Sequence, residues 1–127
     1  GAPDRWEPLG PIPSPPTTRR AWVPIWKRPW MALGEPTYGS AVLRALGVAN
    51  VAAGDPVPYP ELGPDEARAR GADLVVAPSE PYPFAERHRP LLAPATPGPV
   101  LFVDGRDLVW WGTRTRGALT RLAAVLG

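Results

Sequence analysis

The sequence predicts an α/β fold: a three-layer sandwich, its sheet mostly parallel, with helices on both faces. Leu74-Val75-Val76-Ala77 is an unbroken apolar run of the kind found in a strand covered on both sides. Strand-like and helix-like segments alternate in the order β-β-α-α-β-α-β-α, which favours a parallel sheet wrapped by helices. Twenty prolines in 127 residues are too many for an all-helical chain.

Residues 1–19 form a proline-rich lead-in or linker. Pro3, Pro8, Pro11, Pro13, Pro15 and Pro16 favour an extended conformation and oppose a central strand, and Trp6 and Ile12 are candidate anchors. Residues 20–127 are the α/β unit. Ala21–Trp26 is the expected first strand, with Pro24 arguing for an edge or an irregularity. Lys27-Arg28-Pro29 turns the chain into a second strand, Trp30–Leu33. Thr37 is placed to cap a helix carrying Tyr38, Val42, Leu43 and Leu46 on one face, and Gly47 ends it. Val48–Ala53 reads as a short strand or loop. Gly63-Pro64-Asp65-Glu66 starts a second helix, with proline at its first position and acids at the positive end of its dipole. Arg68, Arg70 and Gly71 suit its other end. The Leu74–Ala77 strand follows, and Pro78 stops it. Phe84–Leu92 forms one or two helical turns before Pro94. Val100–Val103 is a strand ended by the Asp104-Gly105 turn. Thr113 caps a last helix whose Leu119, Leu122, Ala123 and Leu126 share a face.

The composition narrows the function. One domain of this size buries roughly two thirds of its unfolded surface. The net charge is +2, and acids are interleaved among the arginines, so no dense basic stripe points to nucleic acid. Cysteine is absent, which removes disulfides, thiolate catalysis and cysteine-ligated zinc. No apolar run approaches the roughly 20 residues of a membrane span, and no leader pattern begins at Gly1. The missing initiator methionine suggests a chain cut or processed from a longer one.

Catalytic motifs are scarce. Ser14, Ser40 and Ser79 lack a nucleophile-elbow setting, and there is neither a P-loop nor G-x-G-x-x-G. His88, the single histidine, sits among Glu86, Arg87 and Arg89 and reads as an exposed position on a polar helix. Asp104-Gly105-Arg106-Asp107 lacks the downstream glutamate and the acidic density of a calcium loop, so it reads as a turn. No metal site is expected. Open parallel sheets place ligands beyond the carboxyl ends of their strands, and the loops Lys27–Trp30, Ser79–Tyr82 and Asp104–Trp111 fall there. Trp26, Trp30, Trp110, Trp111, Tyr59 and Tyr82 lie in or near such loops. Each offers either core packing or a flat surface on which a planar ligand stacks. Trp110 and Trp111 are adjacent, so in extended chain only one faces a given cleft. Lys27 and Arg28 suit anionic groups.

Four segments, taken in order, resemble a known family. They are Ala21–Trp26 with Trp30-Met31-Ala32-Leu33-Gly34 and Thr37-Tyr38-Gly39-Ser40; Val42-Leu43-Arg44-Ala45-Leu46-Gly47-Val48-Ala49-Asn50-Val51; the stretch Tyr59–Tyr82; and Phe102-Val103-Asp104-Gly105 through Trp111-Gly112-Thr113-Arg114. Together they resemble the C-terminal lobe of ABC-importer substrate-binding proteins with a helical backbone, the receptors for vitamin B12, siderophores, haem and some metals. The resemblance implies a non-enzymatic, extracytoplasmic protein of two lobes joined by a rigid helix, of which this chain is one. It implies a large chelate (cobalamin, haem or a ferric siderophore), or a metal, held between the lobes, with no resident cofactor. In this lobe the ligand contacts would be Lys27, Arg28, Trp30, Tyr59, Glu80, Tyr82, Asp104, Trp110 and Trp111. Asp65 and Glu66 would dock on arginines of the membrane permease. The N-terminal lobe is not in this chain, so the chain alone is expected to bind weakly or not at all. The rival expectation is a small enzyme domain using Glu80, His88 and Asp104 at the strand ends. A third is a protein-interaction role for the proline-rich arm.

Overall fold

A computed structural model of the chain describes residues 19–109 and 115–126; the lead-in up to residue 18, Trp110, Trp111 and Thr113 lie outside them. The strands are β1 (Arg19–Trp22), β2 (Pro24–Lys27), β3 (Trp30–Ala32), β4 (Val48–Asn50), β5 (Leu74–Pro78) and β6 (Val100–Val103). The helices are α1 (Tyr38–Ala45), α2 (Pro64–Ala69), α3 (Arg89–Leu92), α4 (Arg106–Val109) and α5 (Thr115–Leu126), with single 3-10 turns at Glu86–His88 and Ala93–Ala95.

Four strands form one parallel sheet in the order β4-β1-β5-β6, and β2 and β3 form a separate antiparallel hairpin. The chain starts in the middle of the sheet, steps outward to β4, then returns past β1 to β5 and β6. Right-handed connections put the helices of the two directions on opposite faces. Side-chain parity shows the result. Ala21, Leu74, Val76 and Val103 join Val42 and Leu43 of α1, Leu108 of α4, and Leu122 and Leu126 of α5 in one core. Trp22, Val75, Ala77 and Val100 join Ala67 of α2 and Leu92 of α3 in the other. Adjacent residues of a strand point to opposite faces, and both faces are covered, so β5 is buried at every position. This is the predicted α/β sandwich.

Local signals acted as read at several ends. Thr37 Oγ1 accepts the Ser40 amide at 3.1 Å and so caps α1. Gly47 and Gly71 take positive φ, 80° and 82°, just past α1 and α2. Other boundaries need correction. Ala21–Trp26 is two strands in different sheets, because the chain leaves the parallel sheet at Val23, whose carbonyl accepts the Leu33 amide at 2.8 Å. Pro24 has no N–H to give, and the hairpin register shifts between Pro24 and Trp26. Pro94 does not end the preceding helical turns but starts another, where its missing N–H costs nothing. The expected loop after Asp104 becomes α4 within two residues. Asp104 accepts the Arg106 amide at 2.9 Å through its carboxylate and the Asp107 amide at 3.0 Å through its carbonyl.

Candidate ligand-binding edge at the strand ends

The sheet reverses its direction of growth between β1 and β5, so the crevice beyond their carboxyl ends is where such folds place ligands. Three segments converge there: the β2–β3 hairpin, the loop after β5 and the turn after β6. The last two are laced together. Ser79 donates its amide to the Val103 carbonyl at 3.0 Å and accepts the Gly105 amide on its hydroxyl at 3.0 Å. A Cβ on Gly105 would lie 2.5 Å from the Glu80 nitrogen, so this approach requires glycine. Residues 58–62 flank the hairpin, since Ala32 donates to the Pro60 carbonyl (3.0 Å), Gly34 to Pro58 (2.7 Å) and Leu62 to Trp30 (3.1 Å).

A file of rings runs from the core to this edge. Trp22, fully buried, packs on Trp30 at 5.5 Å between centroids; Trp30 lies parallel to Phe84 at 6.3 Å; Phe84 meets Tyr82 at 4.7 Å; Tyr82 meets Trp26 edge-on at 5.3 Å. Each pair has the offset or tilted geometry that ring quadrupoles favour. The file ends in solvent, where Trp26 is 43% exposed, and Tyr59 on the neighbouring segment is 50% exposed. The Lys27 ammonium lies 5.6 Å from the Tyr82 ring centroid, within cation–π reach. Ile25, Tyr59, Glu80 and Pro81 line a mostly apolar depression of about 290 Å³.

Of the residues singled out in the sequence, Lys27, Tyr59, Glu80 and Tyr82 share this edge. Arg28 is exposed at the hairpin turn. Trp30 is half-buried, held between Trp22 and Phe84. Asp104 forms an ion pair with Arg106 at 2.9 Å, and this hydrogen bond, more than the surrounding charges, raises the Arg106 pKa above its ordinary value. Trp110 and Trp111 lie outside the described residues. Asp65 and Glu66 are exposed in the first turn of α2, beside a separate depression of about 390 Å³ that Trp30 and Glu61 also line. Ile25 was not singled out; it reads as a plain strand residue, and its neighbour Trp26 was the visible signal.

His88 departs most from expectation. It is 6% exposed, packed against Tyr82 and Phe84, because its turn folds back on the Tyr82-Pro83-Phe84 segment and turns the imidazole inward while Arg87 faces out. Its Nδ1 accepts the Ala85 amide at 3.0 Å. Burial, aided by the charges of Arg87 and Lys27, pushes its pKa below the ordinary histidine value. Among the described residues, no group of three or more His, Asp or Glu side chains could hold a metal ion.

No family model matches the chain, and no curated protein does either. Solved structures do. The chain is similar to the periplasmic heme-binding protein HutB of Vibrio cholerae (TM-score 0.70, 18% identity, covering 88% of this chain and 48% of that one). It is also similar to the periplasmic vitamin B12 binding protein BtuF of Vibrio cholerae (0.64, 17%, 87% and 45%). A third is a possible iron-binding, periplasmic solute-binding protein of Staphylococcus epidermidis (0.65, 14%, 94% and 49%). At these identities the likeness is one of fold. The chain spans under half the length of each of these proteins.

Proposed function

We propose that this chain is the C-terminal ligand-binding lobe of a non-enzymatic ABC-importer substrate-binding protein with a helical backbone. The whole protein would act outside the cytoplasm and hold a large chelate, either cobalamin, haem or a ferric siderophore, between this lobe and an N-terminal one. The observation that carries the reading is the aromatic edge. Trp26 and Tyr59 are large, exposed and set on rigid backbone at the point where open parallel sheets take ligands. The fold shared with periplasmic heme and vitamin B12 binding proteins supports it. In this reading Trp26, Tyr59 and Tyr82 stack on the flat body of the chelate, and Trp110 and Trp111 are further ligand contacts. Lys27 and Arg28 meet its anionic groups, while Glu80 and Asp104 accept from its donors. Trp30 supports the stack from behind. Such a lobe needs no catalytic group; it needs a preorganised surface with little to rearrange on binding.

The test is a titration of the complete two-lobe protein with cobalamin, haem and a ferric siderophore, followed by tryptophan fluorescence. Saturable quenching by one of them is expected, with Tyr59→Ala weakening it about tenfold. A well-folded two-lobe protein that binds none of the three overturns the proposal.

A further inference from the structure

We propose that His88 is a positioning residue for Tyr82, and that it holds the loop 82–88 in place only while its imidazole is neutral. The geometry is reciprocal. The Ala85 carbonyl accepts the His88 amide at 2.8 Å, and the Ala85 amide donates to His88 Nδ1 at 3.0 Å. An amide nitrogen has no lone pair to offer, so the second bond forms only when Nδ1 carries no proton. A proton there sets two N–H groups against each other and releases the start of the turn. The imidazole is also the wall on which Tyr82 and Phe84 rest edge-on, at 5.5 and 5.6 Å. Tyr82 in turn supports Trp26 and lies under Lys27. A change at His88 therefore reaches the exposed edge through one ring.

The surroundings oppose protonation. The charges of Arg87, on the same turn, and of Lys27, on β2, disfavour a cation at His88, and Tyr82 and Phe84 shield it from water. Tyr82 is the titratable ring in contact with it. Glu86, the acid on this turn, is paired with Arg89 through two bonds of 2.9 and 2.6 Å. The depressed pKa fixes the sign. The stabilisation that neutral His88 gives the loop is complete above about pH 6.5 and is lost as pH falls through the lower folded value. The consequence for ligand capture, a Tyr82 edge that loosens in acid, rests on the function proposed above; the titration of the loop does not.

The full chain has one histidine, so its imidazole signals are assigned without ambiguity. Nuclear magnetic resonance between pH 8 and pH 5 should show the Nε2–H tautomer at high pH and a midpoint below about 6.5. The Ala85 amide and the Tyr82 ring should shift along the same curve. In His88→Asn, which keeps an acceptor but does not titrate, those shifts should vanish and Tyr82 should stay docked at pH 5. The proposal fails if His88 titrates while Ala85 and Tyr82 stay fixed, if its midpoint lies at or above 6.5, or if the Tyr82 shift persists in His88→Asn. The wild-type curve decides alone should the variant not fold. No ligand enters, so failure here and failure of the binding titration are separate outcomes.

Discussion

Asn50 shows how one polar side chain holds three backbone segments. It is 3% exposed at the end of β4, and its Nδ2 donates to the Leu33 carbonyl at 2.9 Å and to Ser40 Oγ at 3.2 Å. Its Oδ1 accepts the Ala52 amide at 2.9 Å. Asn50→Ala leaves three buried polar groups to find new partners, so a loss of about 2–4 kcal/mol is expected in urea unfolding. An unchanged unfolding midpoint would mean that water replaces the amide. Nothing in the local sequence announces this role, since the partners lie 17 and 10 residues away. The same gap explains His88. Its charged neighbours suggest an exposed residue, and only the folding back of Tyr82 and Phe84 buries it. The caps at Thr37, Gly47 and Gly71 were legible because their causes lie within four residues.

Between elements, a charged pair ties α4 to α5. The Asp107 side chain is 2% exposed and receives Arg121 Nε at 2.8 Å and Nη2 at 2.5 Å. Two parallel bonds from a guanidinium to a carboxylate fix both distance and orientation. Arg121→Met should lower the urea midpoint by leaving a buried carboxylate without this partner. Asp107→Leu combined with Arg121→Met should recover most of the loss, and a double variant as weak as the single one would show that packing, not charge, makes the joint. The element α4 was itself hidden from sequence reading. Asp104-Gly105 is a turn signal, and a helix of four residues has too little periodicity to compete with it. The split of β1 from β2 was partly legible, as Pro24 marked an irregularity without saying that the chain changes sheets there.

At the scale of the molecule, the sandwich was readable because β5 and β6 are apolar runs that survive without context, whereas β4 read only as a short strand or loop. The candidate edge was half legible: the sequence marks which loops follow which strands, but not that Trp22, Trp30, Phe84, Tyr82 and Trp26 form one file. Asp65 and Glu66 belong to this scale too, for α2 carries them on the face away from its buried Ala67. If they dock the lobe on a permease, Asp65→Lys with Glu66→Lys in the complete protein should leave ligand affinity within about twofold and stability within about 0.5 kcal/mol. Uptake in a reconstituted transporter should fall at least tenfold, about the loss of one strong charged contact. Undiminished uptake would remove the docking role.

The double coverage of β5 has a cost in information. A strand with one wet face declares its own register, because a slip of one residue puts apolar side chains in water. Leu74-Val75-Val76-Ala77 makes no such declaration: a slip exchanges one apolar set for another. Its register is written outside it. Asp73 accepts the Arg20 amide on its carboxylate at 2.9 Å and donates its own amide to the Arg20 carbonyl at 2.7 Å. At the far end, Pro78 offers no N–H and Ser79 bonds to Val103. The strand that carries the core thus takes its position from two short polar neighbourhoods, and the molecule is spelled there more strictly than in its interior.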